Sequence, residues 1–146
     1  MKIYILAIGK CKNGSPEDLL IKQYQKRLNW ELIVKEKDND ERLKEAAFLL
    51  SHIPPHAKVV VLDERGENIS SLAFAKKIGD WQLEGISDIC FLIGGADGHT
   101  DEVRKRADLL LSFGKLTMPH MLIRAVLSEQ IYRAQTILSG HPYHRE

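Results

Sequence analysis

Only two cysteines, Cys11 and Cys90, occur in the 146 residues, and nothing in their spacing forms a C-x-x-C pair. A zinc ribbon and a dithiol redox centre are therefore unsupported. Cys90 sits in an apolar run, where a thiol behaves as a small hydrophobe. Equally absent is any apolar stretch near the ~18 residues that a membrane span requires. The first apolar run, Ile3 to Ile8, is too short for a signal-peptide core and leads straight into Gly9-Lys10-Cys11-Lys12. The expectation is a soluble, cytoplasmic protein with no membrane partner. An excess of charge is missing too: 21 basic and 20 acidic residues leave a formal net charge of +1. A bulk nucleic-acid binder would be basic, so an RNA role here must rest on local patches or on an oligomer's combined surface.

What is present is an ordinary globular composition, 44% apolar and 28% charged. Without repeats or low-complexity linkers, residues 1–146 read as one domain. The runs at 2–8, 31–37, 58–62 and 88–93 are short, apolar and β-branched, as strands buried on both faces are. Between them lie helical patterns. Ser15-Pro16-Glu17-Asp18 is a helix start, with Leu20, Tyr24 and Leu28 as its apolar stripe. Asn39-Asp40 open a second helix, with Leu43, Ala46, Ala47 and Leu50 facing inward. Ser70 or Ser71 caps a third, bearing Phe74, Ile78 and Trp81, and Thr100 caps a fourth. The last begins near Pro119, carries Ile123, Leu127, Ile131, Ala134 and Leu138, and ends at Gly140. Strands alternating with helices imply an α/β fold, a mostly parallel sheet with helices on both faces.

Glycine-bearing loops leave the strand ends at Ile93 and Leu111, and a polar turn, Asp63-Glu64-Arg65-Gly66-Glu67, leaves Leu62. Such ends are where ligands bind in open α/β sheets. A dinucleotide fingerprint would follow the first strand and need an acid for the ribose; neither condition is met, which disfavours a nicotinamide-dependent oxidoreductase. The segment from Gly9 to Ser15 has phosphate-loop glycine spacing, but Ser15-Pro16 stands where Lys-Ser or Lys-Thr is needed. Taken alone, Gly94-Gly95 is also compatible with a plain tight turn.

Leu62-Asp63, Ile93-Gly94-Gly95-Ala96-Asp97-Gly98, the run Ser112-Phe113-Gly114-Lys115-Leu116-Thr117-Met118-Pro119-His120 and the terminal Tyr143-His144-Arg145-Glu146 together resemble the RlmH family. These are SPOUT-class methyltransferases acting on a pseudouridine of bacterial large-subunit ribosomal RNA. The resemblance spans the whole chain. It implies a C-terminal trefoil knot, a homodimer and S-adenosylmethionine bound near the subunit interface. Carried over by position, the donor contacts are Leu62, Gly94, Gly95, Phe113, Gly114, Lys115, Leu116, Thr117 and Met118. No metal is implied.

The implied acceptor is N3 of a pseudouridine, a weak nucleophile until its proton leaves. The resemblance places Tyr143, His144 and Arg145 at the active site: a stacking ring, a proton relay and a hold on phosphate or carbonyl. Otherwise these residues are a solvated terminus. His141 and His144 are three apart, but no cysteine or carboxylate cluster joins them as a metal site. Arg104-Lys105-Arg106 reads as a solvated helix face, and Arg124 and Arg133 as RNA-binding charge at the dimer interface. The expected function is methylation of ribosomal RNA or the assembled ribosome. A non-catalytic RNA- or ribosome-binding module on the same fold is the alternative. On this reading Gly95→Val blocks the donor by filling the cleft, and His144→Ala loses turnover but keeps donor affinity.

Overall fold

A computed structural model describes residues 1–145; Glu146, the last residue of the quoted tail, lies outside them. Strands and helices alternate as β1 (Lys2–Ile8), α1 (Pro16–Arg27), β2 (Glu31–Lys37), α2 (Arg42–Ser51) and β3 (Lys58–Glu67). They continue through α3 (Ser71–Leu83), β4 (Asp88–Ile93), α4 (Asp101–Arg106), β5 (Leu109–Leu111) and α5 (His120–Ser139). The five described strands form one sheet in the order β2-β1-β4-β3-β5, every pair parallel. All carboxyl ends therefore open on one edge.

The central strands are apolar at nearly every position because helices cover both faces. On one side Phe91, Val60 and Ile5 pack against Phe74 and Ile78 of α3 and Leu127 of α5. On the other, Leu6, Val61 and Leu92 meet Ala46 and Leu49 of α2 and Val103 of α4. Each fully buried side chain of this size stabilises the fold by ~1.5–3 kcal/mol relative to exposure. Cys90 belongs to the second cluster, and burial pushes its thiol up to about 12, so it packs as a neutral hydrophobe. Helix α1 lies against α5, and the Gln135 side-chain carbonyl accepts the Asn29 and Trp30 N–H groups where the chain turns into β2.

The expected caps form at Ser15, Ser70 and Thr100, whose side-chain oxygens accept the N–H of Asp18, Ala73 and Val103. Gly140 terminates α5. The loop before α1 is no phosphate cradle, since its Cys11 and Gly14 N–H groups point at the protein's own Glu36 and Asp18 carboxylates. Several expectations need correction. In α1 the buried residue is Ile21, whereas Leu20 is 40% exposed. In α2 the inward face is Glu45, Ala46 and Leu49, and Leu43 is 78% exposed. That helix starts after Glu41, a little later than Asn39-Asp40, and the Asp40 side chain receives the Glu41 N–H.

A further correction concerns β3, which does not stop at Leu62. Val60, Val61 and Leu62 pair in register with Leu109, Leu110 and Leu111; the chain then bulges and Glu67 returns to pair with Leu111. The presumed polar turn is thus an arch over β5. Gly66 is required there, because a Cβ would stand 2.6 Å from the Leu111 carbonyl carbon and 2.7 Å from the Leu110 carbonyl oxygen.

Candidate functional site

At the carboxyl ends of β3, β4 and β5 three loops surround an open cleft of about 660 Å³. Its walls include Leu62, Gly94, Gly95 and every residue from Phe113 to Met118. All nine positions assigned to donor binding thus meet in one concavity, although they come from three separate segments. Leu62 sits on the wall because β3 ends its regular pairing there, flanked by Ile93 and Leu111. The last loop is held in shape by Ser112: its hydroxyl donates to the Gly114 carbonyl, and its N–H donates to the Glu67 carbonyl of the arch. Leu116, by contrast, is 86% exposed at the rim.

The two adjacent glycines open space toward the protein rather than toward the cleft. A Cβ at Gly94 would lie 3.0 Å from the His99 ring. One at Gly95 would lie 3.0 Å from the Glu45 carboxylate and 3.1 Å from Ile8. A side chain at position 95 therefore acts by wedging the loop off α2 and β1, not by occupying the cleft.

Several wall residues were not singled out by the sequence. His99, only 4% exposed, places Nε2 3.0 Å from the Leu62 carbonyl oxygen. That oxygen only accepts, so Nε2 carries the proton. Burial holds the imidazole below its ordinary pKa, outweighing the Asp63 charge and the Leu62 carbonyl, which pull upward. The Arg42 guanidinium donates to the His99 carbonyl. Asp63 accepts from Arg104 Nε at 2.8 Å and from the Arg65 N–H at 2.8 Å. Burial favours its neutral form, but those two donors win and keep the carboxyl below its usual range. Arg104 is thus no solvated charge: it ties α4 to the first residue of the arch. Asp63 was visible in the Leu62-Asp63 motif and the polar turn, but no spacing connects it with Arg104 or Leu62 with His99.

The tail lies elsewhere in the protomer. Tyr143 donates its hydroxyl to Glu129 at 3.0 Å, its ring meets Tyr132 edge-on, and the Arg133 guanidinium stacks over it. Burial, then the Glu129 carboxylate, push the Tyr143 phenol upward, so it stays protonated. His144 Nδ1 is 3.1 Å from Arg133, and His141 Nδ1 accepts the Tyr143 N–H. Tyr143, His144 and the exposed Arg145 do not line the cleft of their own protomer. Arg133 is engaged by Glu129 at 2.7 Å, so it is no free RNA-binding cation. Arg124 differs further from expectation. It is 1% exposed and donates to Glu36 and to the Ile8 and Gly9 carbonyls, bracing α5 against the ends of β1 and β2. Among the described residues no group of three or more His, Cys, Asp or Glu side chains is arranged to hold a metal ion. No described helix is long and apolar enough to cross a membrane.

Residues 1–144 match the family model described as "Predicted SPOUT methyltransferase". Among the relatives named Ribosomal RNA large subunit methyltransferase H, three illustrate the match. That of Paramagnetospirillum magneticum is 52% identical over 99% of both chains. That of Rhodospirillum centenum is 49% identical over the same shares. That of Zymomonas mobilis is 50% identical over 100% of this chain and 99% of the relative. The parallel sheet, the cleft at its carboxyl edge and the full-length match agree: this chain belongs to the SPOUT methyltransferase family.

Proposed function

We propose that this protein methylates large-subunit ribosomal RNA at N3 of a pseudouridine, using S-adenosylmethionine held in the cleft. The observation that carries the reading is the convergence of Leu62, Gly94, Gly95 and the 113–118 run on one cavity. The cavity fits the donor in size and in kind. Drug-sized ligands occupy pockets of ~300–1,000 Å³. Leu62, Met118 and Ile123 offer apolar walls, the loop backbones offer groups that pair with adenine edges, and Glu64 and Asp97 share the lining with Arg65 and Lys115, a mixed set for a donor that carries both cationic groups and a carboxylate. When bound, the donor supplies a sulfonium methyl group, which passes to N3 as the N3 proton leaves.

The chain's own contribution is alignment. In-line transfer gains most from holding acceptor and donor in reacting geometry, and main-chain groups fixed by the β3–β5 arch are rigid enough to do it. Tyr143, His144 and Arg145 complete the site from a second subunit of a homodimer. What supports this is their position: the tail packs on α5 rather than at the cleft of its own protomer. Helices α1 and α5 also expose Leu20, Leu122 and Leu138, apolar side chains for a partner to cover. The protonated Tyr143 suits stacking and hydrogen bonding rather than proton abstraction, which leaves the relay to His144. A C-terminal trefoil knot belongs to the same reading, supported by the arch of 63–67 over Leu110 and Leu111.

The test is transfer of tritiated methyl from S-adenosylmethionine to ribosomes from cells lacking this protein. Label should enter large-subunit RNA at a single pseudouridine. RNA binding with no label incorporated would instead establish the non-catalytic module.

A further inference from the structure

The proposed chemistry makes no use of His99, yet this side chain is buried and anchored in the cleft wall. It is 4% exposed, its carbonyl is clamped by Arg42, and its ring fills the space that Gly94 leaves by lacking a Cβ. Nε2–H donates to the carbonyl of Leu62, the last β3 residue in register with both β4 and β5 before the arch begins. One imidazole therefore touches two of the three loops that shape the cavity.

Packing alone does not account for an imidazole here. Its ring interacts with two main-chain carbonyls, Leu62 at hydrogen-bond distance from Nε2 and Leu92 as a weaker upward pull on the ring's pKa, and neither interaction is open to a phenyl ring or an aliphatic chain of similar volume. What a histidine adds is the Nε2–H donor on the carbonyl at the point where β3 leaves its regular register. Burial favours the neutral ring, and the Leu62 carbonyl, which can only accept, then puts its proton on Nε2.

We propose that His99 is a positioning residue for the methyl-donor cleft, its Nε2–H on the Leu62 carbonyl locking the β3 exit against the Gly94–Gly95 loop. This rests on the reading of the cleft as the donor site. Losing the bond frees the Leu62 peptide to rotate and lets the two walls separate. The effect belongs to donor binding, because the tail and the outer surface of the protein do not touch His99.

Calorimetric titration of S-adenosylmethionine into the wild type, His99→Gln and His99→Phe tests the proposal, with ribosomal RNA affinity measured alongside. Glutamine places an amide N–H near the Nε2 position and should keep donor affinity within about threefold, whereas phenylalanine should lose about tenfold or more. RNA affinity should be equal in all three. A folded His99→Phe protein that binds the donor as the wild type does overturns the proposal. So does a glutamine variant that rescues nothing. A wild type that does not bind the donor at all removes the donor-site reading, and this inference with it. Should His99→Phe not fold, the nitrogen NMR spectrum of the wild-type imidazole decides. An Nε2–H tautomer whose signal shifts on donor addition is expected; an Nδ1–H tautomer or an unmoved signal overturns the proposal.

Discussion

Gly94 and Gly95 stand side by side at the end of β4 but serve different neighbours. Gly94 leaves room for the His99 imidazole and Gly95 for Glu45 and Ile8. Gly94→Ala should push the ring off the Leu62 carbonyl, costing ~1–3 kcal/mol of stability and weakening donor binding; urea melts and titration calorimetry check both. Gly95→Val should be at least as destabilising, since two branches meet a carboxylate and a β1 side chain. A variant melting at the wild-type midpoint would contradict this packing. Arg124→Met should cost about 3 kcal/mol or more, because removing a buried guanidinium strands its carboxylate and carbonyl partners. Ribosomal RNA affinity should not change, since this arginine never reaches the surface. pH acts through two groups. The His99 pKa is lowered on folding, so its contribution is present above 6.5 and is lost as pH falls below that value. Asp63, also lowered, contributes above 3.8 and loses its effect below it. Denaturant midpoints measured against pH should fall in the first window for the wild type and more shallowly for His99→Gln.

At the scale of the elements, the sequence showed most where periodicity and burial coincide. Phe74, Ile78 and Trp81 on α3 are all buried, and Leu127, Ile131 and Ala134 of the predicted α5 face are buried too, whereas Leu138 at its end is 40% exposed. It showed least where a polar side chain takes an inward position. On α2 the buried Glu45 accepts the Asp40 N–H and packs beneath Gly95, so a count of apolar residues turned the helix toward Leu43 instead. The arch after Leu62 was illegible for a related reason. A polar five-residue stretch ordinarily signals a turn, and only contact with β5, distant in the chain, makes it strand. That contact yields a sharp expectation. Gly66→Ala puts a methyl group against main-chain atoms that cannot rotate away, so it should lower the unfolding midpoint markedly and loosen Ser112. Hydrogen exchange at the Ser112 amide, normally protected by the Glu67 carbonyl, reads this directly.

For the molecule as a whole, the cleft was legible as three loop sequences and the tail as a terminal motif, but their separation within one protomer was not. No pattern in a chain states which copy of itself completes a site. The homodimer reading makes a mixing experiment decisive for that point. Gly94→Ala subunits have an impaired cleft, and subunits lacking residues 143–146 have an impaired tail. Exchanging them should create dimers with one intact composite site and raise methyl transfer above the level of either variant alone. Recovery should be absent if each protomer uses its own tail. Beneath all of this lies one claim, that the loops at the carboxyl edge of β3, β4 and β5 hold S-adenosylmethionine. The most direct measurement is a titration of that compound into isotopically labelled protein, followed by the backbone amide signals. The account predicts saturable shifts at Leu62, Gly94, Gly95 and Phe113 to Met118, with the Cys11–Ser15 loop unmoved. A spectrum that does not change, or shifts gathered at the Cys11–Ser15 loop instead, would contradict it.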